Sequence, residues 1–285
     1  MKEFQDRVAV VTGGASGIGY AMAERFARAG MKLALADVES GPLEAAGKKL
    51  GELTDVLTVR TDVAEADQMD AFGEAVLGRF GGVHVLCNNA GVGGGGVMWE
   101  LTTQDWEWVI RPNLWGVIHG VRVFVPHLVA QNEGHVVNTA SMAGLASIPG
   151  MGPYNVTKHA VVTLSETLYG ELRQQDIHVG VSVLCPGFVS TRIFESDRNR
   201  PEELRNPEQA LNAEEREERR KAAAGFFATA MPAAEVAEQV FAAVSEDRFY
   251  ILTHPHEDAV RNRMTPILEG QNPAVLPATI FGGRR

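Results

Sequence analysis

The chain has 285 residues, 45% of them hydrophobic, which is ample material for a buried core. A formal charge of −10 and a pI near 5.3 speak against nucleic acid or an anionic membrane as partner, because an acidic surface repels both, and leave a small molecule as the expected one. The opening MKEFQDRVAVVTGG lacks the basic start and apolar stretch of a signal peptide, and no apolar run approaches bilayer length, so the expected location is the cytoplasm.

From residue 7 to about residue 190, short β-branched runs alternate with helical stretches, the pattern of a parallel sheet covered on both faces. In chain order the pattern predicts a strand over Val8–Thr12, a helix over Gly19–Ala29, a strand over Lys32–Asp37, a helix over Gly41–Leu53 and a strand over Val56–Arg60. A helix over Glu65–Phe80, a strand over Val83–Asn88, a helix over Thr103–Ala130 and a strand over His135–Ala140 follow. In the next helix, Tyr154–Gln175, the recurrence of Ala160, Leu164, Leu168 and Leu172 predicts a core-facing stripe. A strand over Val179–Cys185, a helix over about Pro232–Ser245 and a strand over Phe249–Thr253 complete seven strands, which suits a single-domain, doubly wound α/β fold of Rossmann type, residues 1–285.

Two regions leave this rhythm. Residues 190–230, rich in Arg, Glu, Asn and Pro, read either as a solvated surface helix or as a substrate-side lid, since they follow a strand end that borders the expected site. Residues 254–285 form a C-terminal extension with one helix and a Pro/Gly-rich end. The two cysteines, Cys87 and Cys185, lie in apolar strands and read as core residues. The pair His254 and His256 lies in a loop-like segment without a nearby cysteine, so no metal site is expected.

The first strand runs through Thr12-Gly13-Gly14-Ala15-Ser16-Gly17-Ile18-Gly19 straight into a helix. In that context a glycine turn lets backbone amides approach a pyrophosphate at the positive helix end. Asp37 ends the second strand 18 residues after Gly19, near the distance expected for a carboxylate that holds the adenosine ribose hydroxyls. It would repel a 2′-phosphate, and neither Ser16 nor Val38 supplies a cation to offset this, so NAD is expected rather than NADP. Further on, Tyr154 lies 13 residues after Ser141 and four before Lys158. Residues four apart share a helix face, and a nearby ammonium favours the phenolate, lowering the tyrosine towards the pH at which it can act as a general base.

With TGGASGIG at 12–19, Asp37, Asp62-Val63, NNAG at 88–91, Asn113, Ser141, Tyr154-x-x-x-Lys158 and Pro186-Gly187 in this order, the sequence resembles the short-chain dehydrogenase/reductase family from about residue 7 to about 192. The resemblance implies that Tyr154 exchanges the alcohol proton and Ser141 hydrogen-bonds the substrate oxygen. Lys158 would hold the nicotinamide ribose and tune Tyr154, and Asn113 would support a water linking Lys158 to solvent. For the coenzyme it implies Gly13, Ser16, Gly17, Ile18, Gly19 and Asp37, with Asp62 and Val63 at the adenine. Asn89, Ala90 and Gly91 would line the cleft, and Pro186, Gly187, Val189 and Thr191 the nicotinamide end.

Two positions depart from the family pattern. Pro112 stands inside the predicted helix beside Asn113, where a kink would displace it, and Asn155-Val156-Thr157 replaces the usual small residues after the tyrosine. The apolar walls assigned beside the motifs include Val97, Met98, Trp99, Leu145, Ile148, Met151, Phe188 and Phe226, and favour a bulky hydrophobic or aromatic secondary alcohol or ketone. The opening residues and the insertion are also similar to bacterial Cα-dehydrogenases, which oxidise benzylic alcohols of lignin-derived aryl ethers. The expectation is an NAD-dependent alcohol dehydrogenase, with a ketoreductase of lipid, steroid or polyketide type and a non-catalytic NAD-binding regulatory protein as alternatives. The resemblance further implies a homodimer or homotetramer built on the helices around 103–130 and 154–175.

Overall fold

The computed structural model describes residues 1–206, 230–255 and 257–274, so Phe226, His256 and most of the 190–230 insertion lie outside the described residues. Seven parallel strands form one sheet in the order β3-β2-β1-β4-β5-β6-β7. They are β1 Val8–Thr12, β2 Lys32–Asp37, β3 Val56–Arg60, β4 Val85–Asn88, β5 Gly134–Thr139, β6 Val179–Cys185 and β7 Tyr250–Leu252. The chain lays β2 and β3 on one side of β1 and then returns to add β4 on the other. A crevice therefore opens beyond the carboxyl ends of β1 and β4, where the winding reverses.

Helices α1 (Gly17–Arg28), α2 (Ser40–Leu50) and α7 (Ala233–Glu246) cover one face, burying Met22, Phe26, Leu43, Val236 and Val240 against Leu33, Leu35 and Val11. On the other face α3 (Ala66–Phe80), α5 (Gly116–Gln131) and α6 (Gly152–Gln174) bury Met69, Phe72, Phe124, Leu128, Leu168 and Leu172. Each such side chain contributes roughly 1.5–3 kcal/mol through the water it sheds. Sheet strands buried on both faces read as near-continuous apolar runs, as VAVVT and VGVSVLC do apart from Thr12 and Ser182. The last described helix, α8 (Glu257–Glu269), buries none of its residues.

Strands and helices lie where the periodicity puts them, with ends moved by up to three residues, as is usual where chains fray or cap. Two expectations need correction. The predicted helix 103–130 is divided into α4 (Thr103–Ile110), a π-helical turn over Arg111–Trp115, and α5. Pro112, which has no amide proton to give, sits in the wider turn, and this turn carries Asn113 fully inward instead of displacing it. The stripe on α6 also differs: Ala160 and Leu164 are only half-buried, and the buried face instead runs through Tyr154, Lys158, Val161, Ser165, Leu168 and Leu172.

Candidate active site

At the end of β1 the backbone turns through Gly13 and Gly17, both at positive φ, into α1. A Cβ on Gly19 would lie 2.1 Å from the Gly13 carbonyl oxygen, and one on Gly13 would lie 2.9 Å from Cα of Ala90. Only glycine lets the turn pack this closely against the end of β4. Ser16 makes no side-chain bond to the first amides of α1, so the amide-rich helix start at Gly17, Ile18 and Gly19 is left to face the crevice. That is the cradle a pyrophosphate needs, and its geometry fits a dinucleotide.

Thr12 fixes this turn to its neighbour. Its hydroxyl accepts from the Asn89 and Ala90 amides at 2.9 and 3.1 Å, while Asn89 Nδ2 donates to the Thr12 carbonyl at 3.0 Å. Asp37 is half-buried at the end of β2 and accepts from the Ala15 amide at Oδ2 and the Glu39 amide at Oδ1, both at 3.1 Å. Burial pushes its carboxyl above the usual aspartate value, with the Glu39 and Ala15 amides opposing.

The Asp62 carboxylate accepts from the Ala64 amide at 2.9 Å. The Val63 and Val189 side chains are buried among core residues, so only their backbones are available to a ligand; the Val63 carbonyl already contacts His119 Nδ1 at 2.9 Å. Pro186 and Gly187 follow β6, and the Gly187 amide donates to Thr253 Oγ1 at 3.3 Å. Thr191 reaches Gly17: a Cβ there would lie 3.1 Å from Thr191 Cγ2.

Across the crevice, Tyr154 and Lys158 occupy the first turns of α6 and are 9% and 3% exposed. Lys158 Nζ lies 5.5 Å from the centre of the Tyr154 ring and donates to the Thr139 carbonyl at 2.9 Å. Burial holds its pKa down to about 8. Burial also raises the Tyr154 phenol above its ordinary value, against the pull of a hydrogen bond with the Ser141 side chain. The expected lowering of the phenol by Lys158 is not found: the phenol is raised instead, because a low-dielectric site disfavours the phenolate and the ammonium alike.

Ser141 itself sits at the end of β5, where its hydroxyl accepts from the Ala143 amide at 3.1 Å. Asn113 clamps the chain beyond β4, accepting from the Val92 amide at 2.7 Å and donating to the Val92 carbonyl at 2.9 Å. A Cβ on Gly91 would lie 2.9 Å from Asn113 Oδ1 and 3.6 Å from Lys158 Nζ, so these two groups meet at that glycine.

Tyr154 belongs to a buried apolar cluster with Val92, Trp108, Val109, Ala143 and Leu204, and Ile148, Met151 and Ile193 pack against it. Val97, Met98 and Trp99 are exposed on the loop after β4, Trp99 at 87%. Trp108, Val109 and Leu204 were not among the sequence candidates; Leu204 comes from the insertion, and only its landing place reveals it. Neither was Arg198, which reaches across the site to Glu39. Cys87 and Cys185 are fully buried and their thiols are pushed up, Cys185 to about 12, so neither acts as a nucleophile at neutral pH. Among the described residues no group of three His, Cys, Asp or Glu stands together, and no helix is long and apolar enough to cross a membrane.

Residues 7–202 match the family model described as short chain dehydrogenase. A crystal structure of a short-chain dehydrogenase/reductase from Burkholderia phymatum in complex with NAD superposes with a TM-score of 0.91, at 48% identity over 97% of this chain and 99% of that one. The chain is 34% identical to a CLA biosynthesis dehydrogenase/reductase of Lactiplantibacillus plantarum, over 93% of this chain and 96% of the relative. It is 36% identical to a C alpha-dehydrogenase of Sphingobium, over 70% of this chain and 66% of that protein.

Proposed function

This chain belongs to the short-chain dehydrogenase/reductase family, an oxidoreductase family, and we propose from that premise that it is an NAD-dependent dehydrogenase of secondary alcohols, reversible towards the ketone. The observation that carries the reading is the burial of Tyr154 and Lys158 one helical turn apart, with Ser141 hydrogen-bonded to the phenol. The Gly13–Gly19 turn and Asp37 would hold the coenzyme, which would supply the hydride acceptor, and the NAD bound by the Burkholderia relative supports that choice.

Ser141 would donate to the substrate oxygen and fix it against Tyr154. The Tyr154 oxygen would then take the hydroxyl proton as general base in oxidation and return it in reduction. Lys158, held by the Thr139 carbonyl, would engage the nicotinamide ribose and steady the phenolate as it forms. The Asn113 side chain is committed to Val92, so its share in a proton path falls to its backbone carbonyl.

The wall of Val92, Trp108, Val109 and Leu204 favours a bulky apolar or aryl carbinol, in keeping with the Cα-dehydrogenase likeness. A spectrophotometric screen of secondary alcohols with NAD, from short aliphatic to aryl, tests this. Aryl and bulky carbinols should show the highest kcat/KM, and absence of NAD reduction with any alcohol would refute the reading. We further propose a homodimer or homotetramer in the cytoplasm, to be checked by light scattering and by localisation.

A further inference from the structure

The first residues of the insertion form a strap. Thr191 touches Gly17 beyond β1, the Gly93 amide beyond β4 donates to Ser196 Oγ at 3.0 Å, and Arg198 arrives at Glu39 beyond β2. A segment that leaves the sheet at β6 thus crosses three strand ends and places a guanidinium at the adenosine side of the crevice.

Arg198 gives its Nε and one Nη to the two Glu39 carboxylate oxygens at 3.0 and 2.7 Å. Its other Nη donates to the carbonyls of Arg192 and Glu195 at 3.2 and 3.0 Å. The group is therefore fixed by the strap's own backbone, whether or not Glu39 is present. Asp37 is close enough to stabilise the charged Arg198, and the Glu39 amide bonds to Asp37. The Arg198 edge that Glu39 occupies is the forked edge that would fit a phosphate.

We propose that Glu39 is a second determinant of coenzyme choice: by occupying the forked edge of Arg198, it withholds from a 2′-phosphate a guanidinium already in place beside Asp37. This rests on the reading of Asp37 as the carboxylate that meets the adenosine ribose. NAD selectivity then has two sources, repulsion by Asp37 and masking of a cation by Glu39.

Calorimetric binding of adenosine 2′,5′-bisphosphate and of 5′-AMP, which are adenosine-half probes independent of turnover, tests it. Glu39→Gln should raise the bisphosphate-to-AMP affinity ratio by about tenfold, since a charge-assisted forked contact is of that order. Glu39→Ala should do the same, which guards against a glutamine that still holds Arg198. In Glu39→Gln/Arg198→Met the gain should vanish. An unchanged ratio in both single variants overturns the inference, and so does a gain that survives loss of Arg198, because Glu39 would then act only by its own repulsion. Wild-type protein that binds neither probe overturns the coenzyme reading as well, whereas 5′-AMP binding with an unchanged ratio overturns this inference alone.

Discussion

Lys158 buries its ammonium one helical turn from Tyr154 and secures it with a bond to the Thr139 carbonyl. Its pKa, held down to about 8 from 10.5, means that the folded chain binds this proton less readily than the unfolded chain. Stability from this group is therefore lowest below pH 8 and rises as the pH climbs towards 10.5. Against Lys158→Met, wild-type protein without added coenzyme should gain on the order of 2 kcal/mol between pH 8 and 9.5, at about 1.4 kcal/mol per pH unit. Denaturant melts of both proteins at the two pH values measure it. Parallel pH dependences would show that Lys158 is not charged at a cost.

Tyr154→Phe should reduce turnover by about two orders of magnitude or more while coenzyme affinity stays within a few-fold, as only the proton-transfer group is removed. Ser141→Ala makes a finer test. The Ser141 hydrogen bond lowers the Tyr154 phenol, so losing it should move the rising limb of the oxidation pH profile to higher pH. If Ser141→Ala lowers the rate without moving that limb, Ser141 positions substrate but does not tune the base.

Where the candidate site rests on local spacing, the sequence is enough to outline it. The Tyr154–Lys158 pair is one helical turn, and the glycine turn lies between one strand and the next helix, so both are visible as short patterns. The buried face of α6 escapes an apolar pattern for a physical reason: two of its members, Tyr154 and Lys158, are a polar phenol and an ammonium, and a third, Ser165, is polar too. A search for apolar periodicity passes over them and settles on Ala160 and Leu164, one residue around the helix. A proline in an α-helix is costly, so Pro112 reads in the sequence as a threat to Asn113, but the wider π-helical turn accommodates a residue that has no amide proton to donate. Arg198 and Glu39, 159 positions apart, leave no pattern at all. Ser16 and Val38, the sequence positions beside Asp37, carry no cation, whereas Arg198 arrives from the segment that follows β6.

Asp105 joins α4 to the strap. It completes a capping box with Thr102 and accepts from Arg200 and from Asn206, each at 2.8 Å. Asp105→Ala should cost about 1 kcal/mol through the lost bond to the Thr102 amide alone. It should also loosen Leu204 over Tyr154, raising KM for bulky alcohols several-fold with a smaller change in kcat. Melting curves and steady-state kinetics on one preparation separate the two effects. A stability loss with KM unchanged would mean that the strap does not shape the substrate site.

Coenzyme selectivity offers the fullest test of the Asp37 assignment. Its carboxylate should accept from the adenosine ribose hydroxyls, and charge-assisted bonds of this kind are worth roughly 1.5–3 kcal/mol each. Since a tenfold preference needs about 1.4 kcal/mol, wild-type protein should favour NAD over NADP by two to three orders of magnitude in kcat/KM. Burial raises the Asp37 pKa, and the ribose hydroxyls prefer the ionised form; NAD affinity should therefore fall as the pH drops through that raised value, and the fall should be absent in Asp37→Asn. For the reversal of preference, Asp37→Ser with Val38→Arg removes the repulsion and adds a phosphate partner. Asp37 also receives the Ala15 and Glu39 amides on its two separate oxygens, and serine offers one oxygen, closer to the backbone, in place of that pair. The double variant should thus move towards NADP while losing some stability. Equal use of NADP by wild-type protein, or an unshifted preference in the double variant with its fold intact, would remove Asp37 from the coenzyme site.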